Sequence, residues 1–363
     1  MKSKLLYTAL GALALTTPVT AQTNPTVYGS VVFGHEWEDM EAPPYGLYSM
    51  PADNGNAIKL EVRNDAIKAN GGGVYVDGMY YLVDFTRYEF EQVVTFRTFD
   101  TKNNWKLINE QTVKSYSSAA SDLTYDPVTD KIYGCFKETA TSTQYFLGTL
   151  NPITGFTSKI ADLDEELIVL ASTREGMLYS VDKQTGKLTK IGQTGKSVKY
   201  SQSATFDYAS GRMLWAMTPH YTNESPELCE LDLNTGKTTT LATIPERYEF
   251  TGIYTLSPYA ADNAPQTATA FSGKYEKGAL SGSVSFTAPT TTMGGSTLGG
   301  SLTYTLCVDD KAELTSTGTT TAGKTVTLPK QLDRGMHYLK VATQNTAGRS
   351  PWAYCYFWQA PTR

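Results

Sequence analysis

Side chains able to do chemistry fall in short stretches that set an aromatic ring beside a charge. Residues 35–41 read His35-Glu-Trp-Glu-Asp-Met-Glu41 and lead to Tyr45; Arg87 and Tyr88 precede Glu89; Tyr200 follows Lys199; His220 adjoins Tyr221; and Glu246-Arg-Tyr-Glu249 repeats the pairing. Aromatic faces stack on sugar rings or cover apolar peptide side chains, while adjacent carboxylates and arginines fix polar groups. The expected ligand contacts are therefore Trp37, Tyr45, Arg87, Tyr88, Tyr200, His220, Tyr221, Arg247 and Tyr248. Glu36, Asp39 and Glu249 in the same stretches could supply the acid and the base or nucleophile of a glycoside hydrolase or lyase. Ordinary loop packing and solvation use the same residue types.

Other chemistry finds little support. The three histidines, His35, His220 and His337, are too few and too scattered for a multi-histidine centre. No Gly-x-Ser-x-Gly, Walker-type or dinucleotide-binding pattern occurs. Neither a metal nor a cofactor is expected.

The elements that position these stretches are read from a repeat. Met177 to Ile191 alternates, turns at Asp182 to Gly186 and alternates again; 145–160 and 228–242 copy it, and looser copies run through 53–55 and 100–105. Each is a hairpin. Upstream of the copies, 74–83, 123–135 and 204–215 read strand, Asp-containing turn, strand. Four short antiparallel strands, repeated, make a propeller blade. The turn positions 55, 104, 155, 186 and 236 lie 49, 51, 31 and 50 residues apart, so one blade is compressed. Residues 27–33 precede the first hairpin and 250–256 follow the last without a hairpin of their own. Pairing them would close a ring and remove its open edges. Five blades is the economical count and six the alternative.

In such a ring the hairpin tips face one side, and the links between second and third strands and between blades face the other. The tips collect Asp, Asn and Gly chosen by turn geometry. The ring-and-charge stretches all fall in the links, which are expected to be long loops and to form the binding face.

Residues 1–21 read as a signal peptide: Lys2 and Lys4, an apolar run, then Val19-Thr20-Ala21 before the expected cleavage. The run is shorter than the roughly 20 residues of a spanning helix. Cleavage removes two lysines and no acids, taking the net charge from −5 to −7. With no basic cluster, a nucleic-acid partner is not expected, nor is an integral membrane protein. The propeller is assigned to 22–259.

Within the rest, 260–363, a linker leads to strands at sandwich spacing. Val284-Ser-Phe-Thr-Ala-Pro289, Tyr304-Thr-Leu-Cys-Val308 and the run from Tyr338 through Gly348 to Pro351 serve as second, third and penultimate strands. In these this part resembles a fibronectin type III domain, departing from that family in its Thr/Gly-rich stretch 290–300 and in lacking Arg-Gly-Asp. Cys307 and Cys355 fall in it; buried thiols is the preferred reading, though an oxidising compartment permits a bond. Signal, propeller and such a module together resemble secreted proteins of Gram-negative gut-type bacteria, which implies an adhesive or polysaccharide-handling role in the periplasm or at the cell surface. The expectation is an all-β, non-enzymatic binding protein for a glycan or protein; the alternatives are a hydrolase or lyase on the same face, or a purely structural surface module.

Overall fold

The structure, a computed structural model, describes residues 24–32, 34, 42–68, 71–88, 91–113, 122–137, 143–169, 171–199, 203–220 and 224–359. The signal peptide expected at 1–21 lies outside them. The chain divides into two compact units, Met1–Ser257 and Pro258–Arg363. Both are built of antiparallel strands, and no helix occurs among the described residues.

In the first unit the strands are β1 (Thr26–Val31), β2 (Gly46–Pro51), β3 (Lys59–Arg63), β4 (Gly73–Val76), β5 (Met79–Tyr88), β6 (Glu91–Asp100), β7 (Lys106–Val113), β8 (Leu123–Asp126), β9 (Lys131–Lys137), β10 (Tyr145–Leu150), β11 (Thr157–Leu163), β12 (Met177–Val181), β13 (Leu188–Gln193), β14 (Ser203–Asp207), β15 (Arg212–Met217), β16 (Glu227–Leu231), β17 (Thr238–Thr243) and β18 (Phe250–Tyr254). They form sheets in the orders β18-β1-β2-β3, β4-β5-β6-β7, β8-β9-β10-β11, β12-β13 and β14-β15-β16-β17. The first sheet thus joins the two ends of the unit, with Val31 opposite Phe250 and Tyr28 opposite Tyr254.

Composition follows position within a sheet. β18 is buried along its whole length, whereas the outer strands are more exposed, β3 carrying Lys59, Glu61 and Arg63 and β17 mostly threonine. Strands covered on both faces need apolar or small residues throughout; edge strands can face water. Between the two outermost strands of every sheet the register shifts, at Leu47/Tyr48, Thr98/Phe99, Leu147/Gly148, Leu178/Tyr179 and Leu228/Cys229. The same bulge five times marks five copies of one unit.

The fourth sheet is short because its first two strands are only bridges. Ile168 N donates to Ser172 O at 2.7 Å and Tyr179 N to Ala171 O at 2.8 Å, so the chain reverses between Val169 and Ser172, which is what compresses this unit.

Hairpin tips lean on the preceding sheet. A Cβ added to Gly155 would stand 2.6 Å from Phe96, one on Gly186 2.4 Å from Ala161, one on Gly236 2.7 Å from Gly192, and one on Gly55 2.0 Å from the Thr243 carbonyl. At Gly236, φ of +80° adds a second reason for glycine. Apolar cores fill the gaps. Leu47, Tyr80 and Phe99 pack between the first and second sheets, and Leu147, Leu163 and Val181 between the third and fourth. Leu178 and Trp215 join the fourth to the fifth, and Met50, Leu214 and Leu228 join the fifth to the first.

The second unit is a β-sandwich with a fibronectin type III-like arrangement. Its strands are β19 (Thr269–Lys274), β20 (Ser281–Thr287), β21 (Ser301–Val308), β22 (Lys311–Thr321), β23 (Thr325–Gln331), β24 (Gly335–Asn345), β25 (Gly348–Arg349) and β26 (Ala353–Gln359). One sheet runs β19-β20-β23; the other runs β22-β21-β24-β25, with β26 also on β24. Val284, Phe286, Leu306, Leu339 and Val341 are wholly buried between them.

None of the four cysteines forms a disulfide. Cys307 on β21 pairs with Lys340 of β24, while Cys355 on β26 pairs with Leu339 on the other side of β24. Two strand spacings of about 4.8 Å separate them, beyond the roughly 7 Å a disulfide can bridge, and consecutive β24 partners put them on opposite faces. The bond that composition permits is excluded by register.

Candidate functional site

The starts of β4, β8 and β14 converge on the middle of β18. A Cβ on Gly72 would stand 2.9 Å from the Asp122 Cα, and one on Gly252 3.1 Å from the Gly73 Cα. Ser203 Oγ donates to Asp122 Oδ1 at 3.0 Å, Ala204 N donates to Asp122 Oδ2 at 2.8 Å, and Ile253 N donates to Ser203 Oγ at 2.9 Å. Tyr80 closes the group, its hydroxyl donating to Gly252 O at 2.6 Å. The starts of β4, β8 and β14 and the middle of β18 therefore meet around a buried carboxyl. Burial, outweighing the hydrogen bonds from Ala204, Ser203 and Leu123, pushes Asp122 up to about 8. Beside it a cavity of about 20 Å³, lined by Asp122, Thr124, Cys135, Leu147, Ile168 and Val181, has room for about one water. Burial pushes the Cys135 thiol up to about 12, which leaves it a poor nucleophile.

At one end of the first sheet, rings and cations gather. Tyr45 stands just before β2, Arg63 ends β3, and Glu249 precedes β18, its carbonyl accepting Val32 N at 2.9 Å. Lys68 lies 4.6 Å from the centre of the Tyr45 ring. Tyr248 meets Tyr48 edge-on at 5.6 Å and stacks with Phe250 at 6.2 Å, and Arg247 lies 5.2 Å over its ring. The Tyr48 hydroxyl donates to Pro44 O at 2.5 Å; burial, then the neighbouring Tyr248, push it up to about 12. Glu249 pairs with Lys199 at 3.4 Å, which ties the approach to β18 to the approach to β14. His220 is exposed nearby, its amide donating to Ser197 O at 3.0 Å.

Of the expected contacts, Tyr45, Arg247 and Tyr248 thus come to one end of one sheet, with Glu249 next to them and His220 two residues along the backbone pairing from Lys199. Arg87 and Tyr88 are not in a loop. They belong to β5, opposite Gln92 and Glu91, in a hairpin that continues six residues past the pairing of Leu82 with Gly73, or about 20 Å. Glu36, Trp37, Asp39, Tyr200 and Tyr221 lie outside the described residues. Asp122, Tyr48 and Lys68 are added by the structure; an aspartate ahead of a strand carries no local mark that separates it from a turn former. Among the described residues no three His, Cys, Asp or Glu side chains gather as a metal site would need, and no helix is long and apolar enough to cross a membrane.

No protein-family model matches the chain, and no curated protein does. Solved structures similar to it include the FN1–FN3 domains of chicken CNTN1, at 10% identity over 93% of this chain and 91% of that one with a TM-score of 0.21. The catalytic domain of a Coprinopsis cinerea GH62 α-L-arabinofuranosidase is 8% identical over 92% and 74%, with a TM-score of 0.22. A candidate 6-phosphogluconolactonase of Bacteroides uniformis is 6% identical over 93% and 98%, with a TM-score of 0.29. With TM-scores of 0.29 or less, these likenesses say nothing of activity.

Proposed function

We propose that the first unit is a closed five-bladed β-propeller and that the chain is a secreted, non-enzymatic protein that recognises a glycan or protein through the end of the propeller bearing Tyr45, Arg247 and Tyr248. Support for five blades comes from the repeated bulge, from the hairpin tips that lean on each preceding sheet, and from the pairing of β18 with β1. Secretion rests on the character of residues 1–21, with the periplasm or cell surface as destination.

The observation that carries the binding reading is the set of three tyrosines at one strand end, two of them with a cation over the ring. Rings held rigid by neighbours make contact area at low entropic cost. Hydrolysis is the weaker reading: Glu249 is engaged by Lys199, and Asp122 is enclosed where about one water fits. The test is a glycan-array and pull-down screen of residues 22–363. Binding that falls with Trp37→Ala and Tyr248→Ala supports the reading. Binding that survives loss of Trp37, Tyr45, Tyr88, Tyr200, Tyr221 and Tyr248 together overturns the site, and silence in both screens leaves the structural-module reading.

A further inference from the structure

We infer that Arg247 is the recognition point for a carboxylate, so that the ligand is an acidic, uronate-bearing glycan; this rests on the binding reading above. The arginine is exposed, on the turn closed by the Tyr248 N to Pro245 O bond of 2.9 Å. Its guanidinium lies over the Tyr248 ring, and that ring is itself fixed by Tyr48 and Phe250. Stacking occupies the flat face of a guanidinium and leaves its N–H edges, the fork that matches a planar carboxylate with two parallel bonds.

Two acids flank it in sequence, and neither neutralises it. Glu249 is turned to Lys199, and Glu246 is exposed without an ion pair to Arg247; among the described residues no carboxylate pairs with this arginine. An arginine held over a ring, with no acid on it among the described residues, is pre-organised, so little rotamer entropy remains to be lost when an anion binds. A neutral sugar would need the ring alone. An acidic sugar brings its carboxylate to the guanidinium edge, beside the part-buried rings of Tyr45 and Tyr248, which the buried Tyr48 backs.

The test is calorimetric titration of residues 22–363 with galacturonic acid oligosaccharides, with the same oligosaccharides after carboxyl reduction, and with sulfated heparin oligosaccharides. The uronate form is expected to bind about tenfold or more tighter than the reduced form. Arg247→Ala should erase that difference without changing the melting temperature, and Arg247→Lys should restore part of it. Equal binding of the acidic and reduced forms overturns the inference while the glycan reading stands, as does tighter binding of the sulfated form. An unchanged uronate affinity in Arg247→Ala overturns it too. If none of the three is bound, the inference fails, and the array and pull-down screen decides separately whether the binding reading fails with it.

Discussion

Asp122 and Ser203, 81 residues apart, share a hydrogen bond of 3.0 Å at the point where the strands of the first unit begin, and the same serine oxygen accepts the amide of Ile253. The starts of β8 and β14 are thereby held by one buried acid, and the serine carries the link on to the middle of β18. The folded unit keeps the proton of that acid up to about pH 8, whereas the unfolded chain gives it up near the ordinary carboxylate value of about 4. The folded state thus binds more protons than the unfolded state between those values, and its stability falls as pH rises through that window. Thermal melts between pH 5 and pH 8 should show the decline, and Asp122→Asn should flatten it. A variant with the same slope as the parent would show that the dependence arises elsewhere.

The tip glycines separate two costs. Gly236 and Gly211 both have positive φ, +80° and +71°, yet a Cβ on Gly236 would press on Gly192 while one on Gly211 meets nothing within 4 Å. Gly211→Ala should cost about 1 kcal/mol from backbone conformation alone. Gly236→Ala should cost distinctly more, about 2–4 kcal/mol, by chemical denaturation. Equal costs would mean the tip does not bear on its neighbour.

The protein should show four titratable thiols in denaturant without reductant. Intact-mass measurement after alkylation reads the number directly, and two missing adducts traced to Cys307 and Cys355 would contradict the register of β21, β24 and β26.

His337, nearly buried, lies between two acceptors, with Nδ1 2.9 Å from Asp309 Oδ2 and Nε2 2.7 Å from Asp333 O. Asp309 also accepts Tyr338 N at 2.9 Å and sits in a two-residue turn where it and Asp310 have φ of +53° and +51°. His337→Phe fills the space but leaves those acceptors unpaired, and should destabilise the second unit by about 1–3 kcal/mol. A loss within a few tenths of the parent would show that water replaces the ring at no cost.

Turn chemistry is local, and where it is strong the fold was legible. Asp182 Oδ1 accepts Gln184 N and Thr185 N, and Asp232 Oδ1 accepts Asn234 N and Thr235 N, so each tip can be read from four or five residues. In the second sheet Asn104 and Trp105 take positive φ instead, which is why that copy looked loose. The hairpin of Arg87 and Tyr88 has no Gly, Pro or Asn at its tip and passed for a loop. The reversal between Val169 and Ser172 was hidden for the same reason, inside an apolar run that reads as one strand. Of the candidate site, the ring-and-charge pairing of Arg247 and Tyr248 was legible in sequence; the salt bridge of Glu249 with Lys199, which removes one acid from consideration, depends on a contact 50 residues long.

The pairing of β1 with β18 also decides how the first unit answers to force. The strands are antiparallel, and the chain enters at Thr26 and leaves at Tyr254, so both attachment points lie at the same end of one pair. Tension applied along the chain would load the rungs one at a time, beginning near Tyr28 and Tyr254, and would peel the strands apart like a zipper rather than shear all the rungs together. A strand pair that joins the ends of the unit securely at rest is, under load, its first point of release.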